Sequence, residues 1–142
     1  MKKWIVAGMV ALSSMSVQAN TAEFGRCLVD ALNGKERKTL AKWIYFAMAA
    51  HPEIEQFSNI SQSDKNATDK FVGGLITRLL TENCATEFKV AQKSDPQAVE
   101  KAFELVGQVA MQELMNNDSV MTAITSYAQY ADMEKIGSMM RD

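Results

Sequence analysis

Apolar residues recur along this chain at helical spacing almost everywhere, and no alternating strand pattern interrupts them. In residues 22–32, Phe24, Cys27, Leu28, Ala31 and Leu32 fall at i, i+3, i+4, i+7 and i+8, which is one face of a helix. Asn33-Gly34 ends that face, with Gly34 suited to a left-handed position after the last turn. Residues 35–50 repeat the spacing through Leu40, Trp43, Ile44, Ala47 and Met48, and stop at His51-Pro52 because the residue before proline is pushed out of helical geometry. Residues 52–62 are polar and read as a long loop. A third helix begins near Ser63 or Asp64, with Phe71, Val72, Leu75, Ile76, Leu79 and Leu80 on its face and Cys84 one turn beyond. Residues 83–86 mark a bend, and a short helix follows to about Lys93.

"SDPQ", residues 94–97, predicts the next helix start: Ser94 or Asp95 caps, and Pro96 occupies the first turn, where its missing N–H is harmless. That helix reaches about Asn116 on Val99, Ala102, Phe103, Val106, Ala110 and Leu114. A further helix over 119–130 is expected to bury Val120, Ile124, Tyr127 and Ala128, and a last short one carries Met133, Ile136, Met139 and Met140. The pattern predicts an all-α domain: a compact array of five to six helices without internal repeats. The aromatic helix, with Trp43, Tyr45 and Phe46 on successive sides, reads as its central member, which leaves open whether Tyr45 and Phe46 are covered by the chain itself or by something it binds.

The first residues change where this domain is expected to work. Lys2 and Lys3 precede an apolar run from Trp4 to Leu12, and Val17-Gln18-Ala19 places small residues where a signal peptidase accepts them. The apolar run is short of the roughly 20 residues of a bilayer span. Residues 1–19 are therefore expected to be a bacterial signal peptide, and 20–142 a single exported domain, periplasmic or secreted, with no membrane span in the mature chain. Without Lys2 and Lys3 the 15 Lys+Arg of the chain fall to 13, against 17 Asp+Glu, a balance of about −4. A nucleic-acid binder shows a basic excess instead. In an oxidising compartment Cys27 and Cys84 are most simply one disulfide, with a free catalytic thiol or an intermolecular bridge as the alternatives.

Candidate chemistry is thin. His51 is the sole histidine, no serine sits in a G-x-S-x-G elbow, and no H-E-x-x-H, C-x-x-C or D-x-D-x-D-G pattern is present. No metal or cofactor is expected. His51 is either a residue satisfying the end of its helix or the base of a small Cys/His-dependent hydrolase. The one cationic cluster, Lys35, Lys38 and Lys42, opposes the dipole at the start of its helix, so it is either a docking patch for a partner or a solvated turn. Gly73-Gly74, costing about 1 kcal/mol each relative to alanine inside a helix, predicts a notch on which a Trp43 or Phe46 ring packs, so that Gly74→Leu would be destabilising. The late methionines, Met139 and Met140 above all, either fill core or line a groove for an apolar ligand.

Taken together, "CLVDALNGKERKTLAKWIYFAMAAHPEI" and "LLTENC" after a signal peptide resemble a group of small secreted bacterial helical proteins with two cysteines, for which no activity is known. The resemblance implies the helix plan and the cysteine pair and carries over no catalytic residue. The function expected is non-catalytic binding of a periplasmic protein partner, inhibitor- or immunity-like. The alternatives are a chaperone or carrier for a small apolar ligand in a methionine-rich groove, and the Cys/His hydrolase.

Overall fold

A computed structural model describes residues 11–141, with side chains from Met15 onward. The cationic start and most of the apolar run of the expected signal peptide lie outside the described residues. The described chain is entirely helical: α1 (Ala11–Asp30), α2 (Gly34–Met48), α3 (Pro52–Glu55), α4 (Gln62–Arg78), a π-helical turn (Leu79–Asn83), α5 (Ala85–Ser94), α6 (Ala98–Met115), α7 (Asp118–Thr125), a 3-10 turn (Ser126–Tyr130) and α8 (Met133–Met139). Eight α-helices stand where five to six were expected, because the segment read as a loop carries α3 and the C-terminal part is divided.

Local chemistry explains the starts. Asn33 and Glu36 form a reciprocal capping box, Asn33 Oδ1 accepting from the Glu36 N–H at 2.9 Å and Glu36 Oε2 accepting from the Asn33 N–H at 3.0 Å. This places Asn33, with φ −83°, at the head of α2, and no glycine among the described residues has positive φ, so Gly34 opens the helix instead of closing its predecessor. Ser61 and Asp64 repeat the device at α4, which starts at Gln62, one or two residues earlier than the apolar pattern suggests. The Asp64 carboxyl is held below its usual range first by the Ser61 hydroxyl at 2.6 Å, then by the Ser61 N–H, with the Lys42 charge adding to them.

The centre of the fold is α6, not α2. Ala98, Ala102, Val106 and Ala110 are buried at every fourth position, and this ridge of small side chains lets α1, α2 and α5 all pack on one helix. On α1, Phe24 and Leu28 are fully buried, and the Phe24 ring meets Phe88 of α5 with centroids 5.7 Å apart. The close approach of α1 to α6 runs through Gly25: a Cβ there would stand 3.1 Å from Leu105 Cδ2. The expected notch is elsewhere than predicted. Gly73 and Gly74 are exposed, with nothing within 4 Å of an added Cβ, because α4 turns that side to solvent and meets α2 through other residues.

Cys27 and Cys84 are bonded, with Cα atoms 6.0 Å apart. The π turn is what aligns them. Continuing the α-helical step from buried Leu79 would put residue 83 on the core face; the Cys84 N–H bonds instead to the Leu79 carbonyl at 2.9 Å, five residues back, and the extra residue brings Cys84 round to α1. At the start of α2, Glu36 Oε1 accepts from Arg78 Nη2 at 2.7 Å, and Arg78 Nη1 donates to Asn83 Oδ1 at 2.9 Å, which ties the turn to the rest of the fold.

From Met15 onward the first buried residue of α1 is Thr21, the second residue after the expected cleavage point, although the helix itself runs unbroken through Ala19. There Thr21 Oγ1 donates to Asp95 Oδ2 at 3.4 Å. Asp95 also accepts from Lys101 Nζ at 2.8 Å and from the Gln97 N–H at 2.9 Å. Gln97 heads α6, so Pro96 lies in the turn before the helix and Asp95 closes that turn. The Lys101 ammonium holds the Asp95 carboxyl below its usual range, the Gln97 N–H and the Thr21 hydroxyl acting with it against the desolvation of the site. A carboxyl whose folded pKa lies below its unfolded value of about 3.9 contributes stability that is complete above that value and is lost as pH falls through the folded one. Melting temperature is therefore expected to fall below about pH 4, and Asp95→Asn to flatten that slope. Thermal melts from about pH 6 to about pH 2 check this, and identical acid slopes for the two proteins would refute it.

Candidate functional site

Three helices leave an apolar cleft between them. α2 packs on both α4 and α6, while α4 and α6 have no substantial contact with each other, and α2 floors the gap. The resulting cavity, about 230 Å³, takes Leu40, Trp43 and Ile44 from α2, Val72 and Ile76 from α4, and Phe103, Val106 and Gly107 from α6. Trp43 also lines a second hollow of about 160 Å³, with Phe46, Ala47 and Ala50 from the α2 side and Lys65 and Asp69 from α4. Trp43 is thus shared by both. Its indole is fixed by one bond, Nε1–H to Asp69 Oδ1 at 2.8 Å. That satisfies its single polar group and leaves the apolar ring to line both hollows.

The rim has a sign. α2 and α4 together carry Lys35, Arg37, Lys38, Lys42, Lys65, Lys70 and Arg78 against Glu36, Asp64 and Asp69. In a chain of formal charge −2, this is a cationic face on an otherwise acidic protein. Lys35, Lys38 and Lys42 are exposed along the outer edge of α2, Lys42 close enough to Asp64 to bias its carboxyl.

The other residues singled out by sequence separate into two groups. Tyr45 and Phe46 belong to the cleft region: Phe46 is half-buried at the smaller hollow, while Tyr45 remains 48 % exposed, its ring 6.3 Å from that of Phe46. The aromatic helix is therefore a flank of the fold with one side in the core, and the chain leaves Tyr45, Met48 and, further on, Phe57 uncovered. Cys27, Cys84, His51, Met139 and Met140 do not belong to it. Both sulfurs are in the disulfide. His51 is exposed and caps α3, its Nδ1 accepting from the Glu53 N–H at 3.2 Å. A nucleophile–base pair of cysteine and His51 is thus not formed. Met139, at the end of α8, and Met140, just beyond it, are exposed, and α8 makes no substantial contact with the helical core.

Gly107 and the Trp43–Asp69 bond were not legible as site features. A glycine in the middle of an apolar helix was the available signal for the first; nothing in a polar i-to-j pairing 26 residues apart announces the second. Among the described residues, no cluster of three or more His, Cys, Asp or Glu side chains is placed to hold a metal ion, and no helix is long and apolar enough to cross a membrane. The chain matches no protein-family model, no curated protein and no solved structure.

Proposed function

We propose that this chain is an exported, non-catalytic binding protein that holds a partner protein at the Trp43 cleft. The partner inserts apolar side chains on either side of the indole and sets acidic groups against the cations of α2 and α4. The observation that carries the reading is that Trp43 lines two hollows on helices, α2 and α4, that are cationic in an acidic chain. Tryptophan at the centre of an apolar pocket, ringed by charge, is the usual make-up of a strong contact point between proteins. At about 230 Å³ the larger cavity is below the roughly 300–1,000 Å³ of small-molecule pockets and suits one or two inserted side chains. Its lining contains no methionine, so a carrier built on a methionine groove draws no support from it. An inhibitor- or immunity-like role, and the resemblance to small secreted two-cysteine helical proteins, fit this use. The disulfide suits the oxidising compartment that export implies.

Gly107 offers a test that separates binding from folding. A Cβ added there meets nothing within 4 Å and points into open space beside the cleft. Gly107→Leu is expected to fill the cavity and, by removing a helix-interior glycine, to raise stability by about 1 kcal/mol. Photo-crosslinkers placed at Lys42 and Tyr45 should capture a partner in cells carrying the otherwise native protein, lose it on Gly107→Leu, and lose it at raised salt as the charge contacts are screened. A crosslinker at Lys89 on α5 serves as the control surface. Capture at Lys89 equal to that at Lys42, or capture indifferent to the filled cleft, would remove the proposal.

A further inference from the structure

Two helices of this chain start on one device, and a third holds the residues of that device out of place. Asn33-Gly34-Lys35-Glu36 at α2 and Ser61-Gln62-Ser63-Asp64 at α4 each set a capping side chain three residues before an acid, and each pair bonds reciprocally. Asn20-Thr21-Ala22-Glu23 has the same spacing, but it lies in the middle of α1, where it caps nothing and where asparagine and threonine are poor helix formers. Glu23 is exposed and makes no ion pair or side-chain hydrogen bond among the described residues.

The expected cleavage point gives these residues a use. In an α-helix each N–H bonds to the carbonyl four residues back, so the N–H groups of Asn20, Thr21, Ala22 and Glu23 rely on the carbonyls of residues 16–19. Cleavage after Ala19 takes away all four acceptors and makes Asn20 the residue at which the helix starts. Four orphaned donors and the positive end of a helix then fall on residues 20–23. Asparagine is among the best capping residues, and its side-chain oxygen reaches the N–H three residues on, here that of Glu23. Asn20 meets Ser94 through Nδ2 at 3.5 Å, so that contact uses the donor end of its amide and not Oδ1. Glu23 in turn reaches the new α-ammonium of Asn20, a charge-assisted counterpart of the bond that Glu36 accepts from the Asn33 N–H. Asp95, 3.4 Å from the Thr21 hydroxyl, sets a second carboxylate beside the same helix end. A cut one residue later would discard Asn20 and put buried Phe24 where the acid belongs.

We propose that removal of residues 1–19 converts Asn20-Thr21-Ala22-Glu23 into a capping box, so that processing remakes the start of α1 in the mature chain. The proposal rests on the export in the reading above and is independent of the Trp43 cleft.

The whole precursor, expressed in a bacterium and recovered after export, supplies the test. Its intact mass is expected to be that of residues 20–142. In that chain Asn20→Ala and Glu23→Ala should each lower the folding equilibrium constant about fivefold, the scale of one cap, as Asn33→Ala should for the box at α2. The double variant should lose less than the product of the two, because each member of the box needs the other. In Glu23→Ala the Asn20 amine, followed by NMR titration, should lose its proton at lower pH, since the carboxylate that holds the ammonium is gone. This last reading needs no change in stability, and it covers the case in which Asn20→Ala alters processing. A chain beginning at another residue, independent effects of the two substitutions, or an amine indifferent to Glu23 would each overturn the box. A different start leaves export and the Trp43 cleft standing, whereas an unprocessed chain removes export with the box.

Discussion

Replacing Cys27 and Cys84 together by alanine is expected to lower stability by about 4 kcal/mol, the largest effect of any change considered. The bond joins residues 57 apart in sequence, and removing it returns to the unfolded chain the freedom of a loop of that length. Against the roughly 5–15 kcal/mol by which a domain is stable, the change brings this one close to unfolding at physiological temperature. The packing around the bond adds to the effect, since Cys84 is fully buried beside Leu79 and the shortened side chain leaves a void. Urea unfolding of the oxidised protein and the double variant measures the difference. A loss under about 1 kcal/mol would mean that the unfolded chain is already held compact, or that the α1 contact survives without the bond.

Gly25→Leu is expected to cost about 2 kcal/mol, within the range for overpacking. Gly25 is buried where α1 crosses α6, the most extensive helix pair in the fold. The first atom of any side chain there meets Leu105 Cδ2 at 3.1 Å and the Ala102 Cα at 3.7 Å, so Leu105 must give way, and further carbons must fit the hollow of about 230 Å³ that Gly25, Ala102 and Leu105 help to line. The effect should appear as a fall in melting temperature of roughly 10 °C for a domain of this size. Gly74→Leu makes the same chemical change on an exposed helix face with nothing within 4 Å. It should change stability by less than about 1 kcal/mol, and in the favourable direction, because a helix-interior glycine is replaced by a good helix former. Equal losses in the two variants would show that helix propensity or solubility, and not the α1–α6 approach, governs both.

These two glycines show where sequence pattern loses its hold. A glycine pair inside a strong helix is a visible anomaly, and Gly73-Gly74 drew the inference of a notch; the single glycine beside Phe24, with no pattern to mark it, is the one another helix presses against. Close approach is a property of two surfaces, and one helix's spacing describes only its own. The same limit governs α2. Its aromatics lie on several sides, which suggests a helix covered all round, yet coverage depends on how many neighbours reach it, and only α4 and α6 do.

What the sequence by itself determined is local. The 3.6-residue spacing of apolar positions, the stop at His51-Pro52 and the two cysteines on inward faces define an all-α, disulfide-bonded chain, with most helix ends within a turn or two of where pattern puts them. Each of these follows from bonds and exclusions between residues near in sequence, or from which face of one helix is apolar. The tertiary structure decided the rest: that α6 is central, because its buried positions are small enough for three neighbours to close on it; that a π turn rotates Cys84 onto α1; that Trp43, held by Asp69, lines two hollows; and that Ile124 and Tyr127, expected in the core, stay exposed. An apolar side chain requires burial, but its spacing along one helix does not say against what, because hydrophobic attraction has no direction and the partner is chosen by shape.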